Sequence, residues 1–405
     1  MDTVGSAATP GHRDEPGSPT GVAAVVAAVG IMLVAANLRP PVVAVAPLID
    51  DIKADLAWSS AVAGLLTALP VLVFGLIAPV APKLAARFGI ERTIFGSMLV
   101  LAVAIVIRLV PHPVALFGGS ALAGAGIGIC NVVLPSLIKR DFAHRSGLMT
   151  GLYSMTLSAG AAVSAGLAVP LNDAVGGNWR VALALWVVPV VVAIVTWTPQ
   201  LRVVHHGAAV SSMRSLLRDR IAWAITIFMA AQSFIFYTFS AWLPQNLIDR
   251  GMSPSAAGAV LAGAQVAGLV MSLVAPIIAG RFADQRIVTF IALLVTAIGF
   301  VGFVGSHSWP AFWALCVIAG PGASIGLALL FMVVRSSSTA QTSQVSGMSQ
   351  SIGYIVAAIG PVAIGAMHDA TESWSIAMGV LGLALIPQAI ATWTAANNVT
   401  MPAAR

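Results

Sequence analysis

From Val22 to Ile49 the chain reads VAAVVAAVGIMLVAANLRPPVVAVAPLI. About 20 predominantly apolar residues suffice for a helix to cross a bilayer, and this run is longer, with Asn37 and Arg39 as its strongly polar members. A guanidinium is effectively always protonated, so Arg39 cannot enter hydrocarbon by shedding its charge. Burying it there costs on the order of 3 kcal/mol or more, and such residues usually face a polar cavity. Pro40 and Pro41 follow at once. Each lacks an N–H, so carbonyls one turn earlier lose their partners and the helix should kink beside the charge.

The rest of the chain has the same character. Hydrophobic residues make up 59% of the 405 residues and charged residues 8%, whereas an ordinary soluble domain carries roughly 25% charge. A soluble fold of this size would need far more charge to cover its surface. The apolar runs divide into twelve spans, at about 22–47, 59–81, 92–110, 113–138, 146–170, 179–198, 221–246, 254–279, 287–306, 309–334, 344–367 and 374–395. Backbone groups facing lipid must be paired within the segment, so spans this long are expected to be helices. The fold class is therefore an all-α membrane protein.

Charge gives the orientation. With an even number of spans, both termini share a side, and that side carries fifteen of the twenty Lys and Arg residues. The opposite side carries Lys53, Arg180 and Arg250, with Arg108 near its boundary, where it is expected to reach the outer interface or to serve as an inlet for anions. Under the positive-inside rule both termini are cytoplasmic and the chain sits in the inner (cytoplasmic) membrane. The net charge of +6 reflects this topology rather than nucleic-acid binding. Residues 1–20, rich in Pro, Gly, Ser and Thr, read as a disordered tail. Cys130 and Cys316 lie in separate apolar spans, which implies neither a disulfide nor a metal site, and no cofactor motif is present. The series Gly118, Gly119, Gly124, Gly126 and Gly128 follows no strand, so it reads as small residues allowing close helix contact and not as a nucleotide loop.

The chain also repeats itself. Gly151–Asp173 (GLYSMTLSAGAAVSAGLAVPLND) and Gly347–Asp369 (GMSQSIGYIVAAIGPVAIGAMHD) begin and end alike, and each precedes a Trp, Trp179 and Trp374. Arg140 and Arg335 close the preceding span in each half. The expected organisation is a tail over 1–20, six-helix domains over 21–198 and 221–396, a linker over 199–220 and a second tail over 397–405. Two pseudo-symmetric six-helix bundles are the plan of a rocking transporter with its site near mid-membrane.

Loops at equivalent places read Lys83-Leu84-Ala85-Ala86-Arg87-Phe88-Gly89 and Gly280-Arg281-Phe282-Ala283-Asp284-Gln285-Arg286. With twelve spans in two sixes, these resemble the cytoplasmic loop motif of the major facilitator superfamily. The second copy keeps Gly280, Asp284 and Arg286; the first keeps Arg87 and Gly89 but has Pro82 and Ala86 where the motif has Gly and Asp. Longer stretches, Asn37-Leu38-Arg39-Pro40, Asn131 to Pro135, Lys139-Arg140-Asp141-Phe142, Gly151-Leu152-Tyr153-Ser154, Gln232-Ser233 with Tyr237, and Gln350-Ser351-Ile352-Gly353-Tyr354, resemble the cyanate permease and 2-nitroimidazole transporter family within it. The resemblance implies cyanate-like anions or nitroheterocycles as cargo.

No Asp, Glu, Lys or His falls well inside a span. Proton-coupled carriers usually hold a protonatable group there, and the Gly-Pro pair that marks the fifth span of drug/proton antiporters occurs here in the eleventh, at Gly360-Pro361. The expected cargo is therefore a small polar, anionic or electron-rich solute, moved by alternating access by a monomer in the lipid bilayer. Arg39 is its principal ligand, since planar bidentate donors suit carboxylate-like groups. Snorkelling and a structural ion pair are the plain alternatives, the second lacking a carboxylate. Asn131, Tyr153, Gln232, Tyr237, Gln350 and Tyr354 are candidate companions; Gln350 and Tyr354, four apart, share a helix face. Asn37 either lines the cavity or ties α-helices together, and Gln265 is expected to bond between helices. The competing functions are proton-coupled multidrug efflux and a transporter-like sensor; no catalytic constellation points to an enzyme.

Overall fold

The computed structural model describes residues 21–58, 60–202, 216–306 and 308–402. The expected tail 1–20, most of the linker and the end of the chain lie outside these residues. Eleven helices are long and apolar enough to cross a membrane, and a bent pair, Gly64–Ile77 with Ala81–Phe88 at 58°, supplies a twelfth span. In chain order the first bundle contains α1 (Val22–Asn37, Pro40–Val43 and Ile49–Leu56), α2 (Ser60–Ile77 and Ala81–Phe88), α3 (Ile90–Ile107), α4 (Pro113–Asp141), α5 (Ser146–Ala174) and α6 (Trp179–Ala184 and Val187–Trp197). The second contains α7 (Arg220–Asp249), α8 (Pro254–Ala279), α9 (Arg286–Gly305), α10 (Pro310–Val334), α11 (Thr339–Thr371) and α12 (Trp374–Gly382 and Leu385–Ala395).

Local chemistry sets the boundaries. Asp219, Ser253, Ser338 and Ser373 accept backbone N–H groups at the starts of α7, α8, α11 and α12, the usual way to satisfy orphan donors of a first turn. Pro113, Pro254 and Pro310 occupy first helical positions, where a missing N–H costs nothing. Gly89 turns the chain from α2 into α3 at φ 85°, a conformation that suits glycine. The helix of α11 begins at Thr339, earlier than the expected 344, because its polar first turns are buried between helices rather than exposed to lipid.

The central helices α4 and α10 are the most enclosed. Small residues let α4 pack closely: a Cβ at Gly126 would stand 2.7 Å from the Ser97 carbonyl oxygen on α3. The two bundles are built alike. Trp179 Nε1 donates to Asp55 at 3.3 Å, tying α6 to α1, and Trp374 Nε1 donates to Asp249 at 2.6 Å, tying α12 to α7. Their treatment of Arg140 and Arg335 differs. Arg140 pairs with Glu91 at 2.6 Å, whereas Arg335 donates to the carbonyls of Ala395 (3.1 Å) and Ala396 (3.0 Å) at the end of α12. Burial pulls the Arg335 pKa down to about 10, so it remains cationic at neutral pH.

The bundles meet on the side where α1 begins, called here the basic side. A Cβ at Gly147 of α5 would stand 2.8 Å from the Gly280 Cα at the end of α8, so only glycine permits this approach. Two hydrogen bonds cross nearby. Ser154 Oγ of α5 donates to the Ser272 carbonyl of α8 at 2.7 Å, and Gln350 Nε2 of α11 donates to the Asn131 carbonyl of α4 at 2.9 Å. Both acceptors are carbonyls four residues before a proline, Pro276 and Pro135, which lack the N–H that would have paired with them. Ser154 and Gln350 are themselves equivalent, each three residues after the glycine that opens its repeat, Gly151 or Gly347. Toward the opposite side Leu65, Val163, Val266 and Val362 on α2, α5, α8 and α11 are exposed. The structure is closed on the basic side.

Candidate functional site

Arg39 lies in the break of α1. The helix ends at Asn37, the Leu38 N–H reaches back only to Ala35, and a new turn starts at Pro40. The break presents Arg39 toward the second bundle, where Nη1 donates to the Tyr237 hydroxyl on α7 at 2.8 Å. Its flanks Asn37 and Leu38 are buried, but Arg39 is half-buried and keeps accessible surface. The chain has three tyrosines, and all three, Tyr237, Tyr354 and Tyr153, interact electrostatically with this guanidinium. They come from α7, α11 and α5, so a loose ring of phenols from both bundles lies within electrostatic range of the cation. Among the described ion pairs, Arg39 has no carboxylate partner.

Asn131 sits beside this ring. Its Oδ1 accepts from the Tyr153 hydroxyl at 3.3 Å, its backbone carbonyl accepts from Gln350, and its buried Nδ2 has no hydrogen-bond partner. A buried donor without an acceptor is costly. Gln350 also holds Ser346 Oγ at 2.8 Å, which commits its Nε2 to the bundle contact. Tyr354 packs edge-on against Phe74 of α2, with ring centroids 5.6 Å apart.

The remaining expected residues fall elsewhere. Asn37 Nδ2 donates to Leu33 (2.8 Å) and to the Pro189 carbonyl of α6 (3.1 Å), so it ties helices together rather than lining a cavity. Gln232 Nε2 donates to Ser233 Oγ at 2.7 Å and to Met229 Sδ at 3.3 Å on its own helix, leaving Tyr237 as the member of that pair at Arg39. Gln265 does bond between helices, to Ser240 at 3.3 Å. Arg108 departs from expectation. It does not reach the outer interface but is 2% exposed, with Nη1 on the Pro41 carbonyl at 2.6 Å. The inward pull is physical: a kinked helix leaves carbonyls in need of donors.

The loop motifs act within bundles. Asp284 accepts the Arg286 N–H at 2.9 Å, capping the start of α9, and Arg286 lies 4.3 Å over the Trp393 ring of α12. Arg87 stacks at 5.3 Å on its neighbour Phe88. The ion pairs described for these loops, Arg140–Glu91 and Arg286–Asp284, each stay inside one bundle. Gly280, by contrast, does meet the other bundle, at Gly147. Among the described residues no cluster of His, Cys, Asp or Glu is arranged for a metal.

Comparison with known proteins agrees with this architecture. An uncharacterized transporter of Bacillus subtilis, YycB, is 40% identical over 88% of this chain and 90% of its own. The 2-nitroimidazole transporter of Escherichia coli is 39% identical over 89% of this chain and 93% of its own. The cyanate transport protein CynX of the same organism is 31% identical over 88% and 94%. The crystal structure of the E. coli fucose:proton symporter FucP superposes with a TM-score of 0.74 over 92% of this chain and 98% of that one, at 14% identity. Residues 22–361 match the Major Facilitator Superfamily family profile, and the chain belongs to that superfamily of membrane transporters.

Proposed function

We propose that this transporter carries a small anionic or electron-rich solute, such as cyanate or a nitroheterocycle, and that Arg39 binds it. The observation that carries the reading is the convergence of all three tyrosines on one half-buried arginine between the bundles. Phenol hydroxyls and a guanidinium together offer several donors and no negative charge, which suits an anion or the oxygens of a nitro group. The relatives named for 2-nitroimidazole and cyanate support the same class. Asn131 Nδ2 adds a further donor. Tyr237, Tyr354 and Tyr153 position the cargo, and Asn37 and Gln350 hold the surrounding helices.

The basic side is cytoplasmic on the positive-inside rule, so the present state is closed toward the cytoplasm. Residues 21–198 and 221–396 act as the two rocking bodies, joined by 199–220, in a monomer in the inner membrane. No Asp, Glu, Lys or His is described in contact with Arg39, which favours uniport or exchange over proton antiport of drugs. Purified protein in proteoliposomes tests this. Uptake of labelled cyanate or 2-nitroimidazole should be lost in Arg39→Ala and partly kept in Arg39→Lys. Equal transport by all three forms removes Arg39 from the site. Binding without transport would identify a sensor, and uptake driven by an imposed proton gradient would restore the antiport reading.

A further inference from the structure

We propose that Arg108 is a positioning residue for Arg39, holding the broken segment of α1 by the Pro41 carbonyl; this rests on Arg39 being the substrate cation. In an unbroken helix the Pro41 carbonyl would accept the N–H of Val45, four residues on. Here the Val45 N–H turns to Val42 (3.4 Å), as the chain tightens toward a 3₁₀ turn at Ala46–Leu48. Arg108 Nη1 supplies the missing donor at 2.6 Å, from 67 residues away. A charged donor on a backbone carbonyl is a strong restraint in a low-dielectric setting.

Three further observations make the contact specific. Arg108 closes α3 directly and is 2% exposed, with Nε and Nη2 unpartnered, so Pro41 is the contact that orients it. Gly119 of α4 makes room for it: a Cβ there would stand 2.8 Å from Arg108 Cγ and 2.7 Å from the Ala104 carbonyl oxygen. The second bundle has neither half of the device. There α7 runs unbroken from Arg220 to Asp249, and α9 is closed by Ser306 rather than by an arginine. The buried cation occurs in the bundle whose first helix is broken, and its acceptor Pro41 lies two residues from Arg39.

The test uses full-length protein in proteoliposomes with labelled cyanate. Arg108→Met removes the donor and charge at similar length, whereas Arg108→Lys keeps both. Arg108→Met should raise KM about tenfold or more with Vmax changed less than about threefold, and Arg108→Lys should recover most of the loss. In an Arg39→Lys background the same change should add less than about threefold, because both residues act through one site. An unchanged KM, full additivity, or a Lys variant as impaired as the Met variant overturns the proposal. If Arg108→Met does not accumulate, Gly119→Ala displaces the arginine and carries the same comparisons.

A readout without substrate separates this inference from the cargo assignment. In protein lacking Cys130 and Cys316, a thiol introduced by Val43→Cys should react with a water-soluble maleimide about tenfold faster when Arg108 is Met, because local opening of the segment is easier. An equal rate overturns the positioning role even if cyanate is not the cargo. A wild-type protein that moves neither cyanate nor 2-nitroimidazole, yet shows the faster labelling, refutes the cargo and keeps Arg108 in place.

Discussion

Tyr237 gives Arg39 a hydrogen bond at 2.8 Å across the bundle interface. Hydrogen bonds to charged groups contribute about 1.5–3 kcal/mol. Tyr237→Phe should therefore lower the melting temperature of the unliganded protein and, if Tyr237 also contacts the cargo, weaken the apparent affinity for cyanate by about tenfold. A melting temperature that falls while affinity holds would make Tyr237 a structural residue. The arginine itself was legible from sequence, because a charge stands out in an apolar run. Its tyrosine companions come from the stretches that resemble the family, not from spacing. Tyr153, Tyr237 and Tyr354 lie on three helices, and sequence spacing reports neighbours on one helix only. Asn37 and Gln232 show the converse: each is polar within a span, yet each spends its donors on nearby backbone or its own helix.

Among the helices, α5 and α11 carry the contact that closes the basic side. Ser154 and Gln350 each hold a carbonyl orphaned by a proline in the other bundle. Interhelical hydrogen bonds in membranes contribute about 0.6 kcal/mol each, so losing both should shift the balance of states about sevenfold toward opening on the basic side. In Ser154→Ala with Gln350→Leu, a thiol placed by Ser346→Cys should become more reactive to reagent applied from that side. Unchanged labelling would show that Gly147 against Gly280 suffices to hold the closure. For the latter pair, Gly280→Val should do more than loosen it, since its Cβ would stand 2.7 Å from the Gly147 Cα. That variant should favour the opposite state and lose transport, and wild-type rates would exclude the close approach as a gate. Prolines 135 and 276 were readable in the sequence as sources of free carbonyls, but which donor would answer each depended on how the bundles dock. The twelve spans, by contrast, followed from hydropathy alone, because a helix in lipid must be apolar along its length.

For the molecule as a whole, symmetry and charge were legible at a distance. The repeated Trp179 and Trp374 marked equivalent corners before their indoles were seen on Asp55 and Asp249. Replacing either carboxylate, as in Asp55→Asn or Asp249→Asn, should lower the melting temperature by a few degrees, corresponding to about 1–2 kcal/mol. An unaltered melting temperature in both would deny these corners a part in stability. The lack of a carboxylate partner for Arg39 among the described ion pairs has an electrical consequence. On the proposed reading, an empty carrier holds the Arg39 charge without a carboxylate partner, with the buried Arg108 nearby, and binding a monoanion cancels one of these charges. Rocking the bundles would change which aqueous phase reaches Arg39, so the empty return step should sense the membrane potential more than the loaded step. A full crossing of one charge corresponds to about 2.3 kcal/mol per 100 mV. Imposed voltage should thus alter net cyanate flux strongly and cyanate–cyanate exchange weakly, and equal voltage sensitivity of the two would mean that the return step moves no charge.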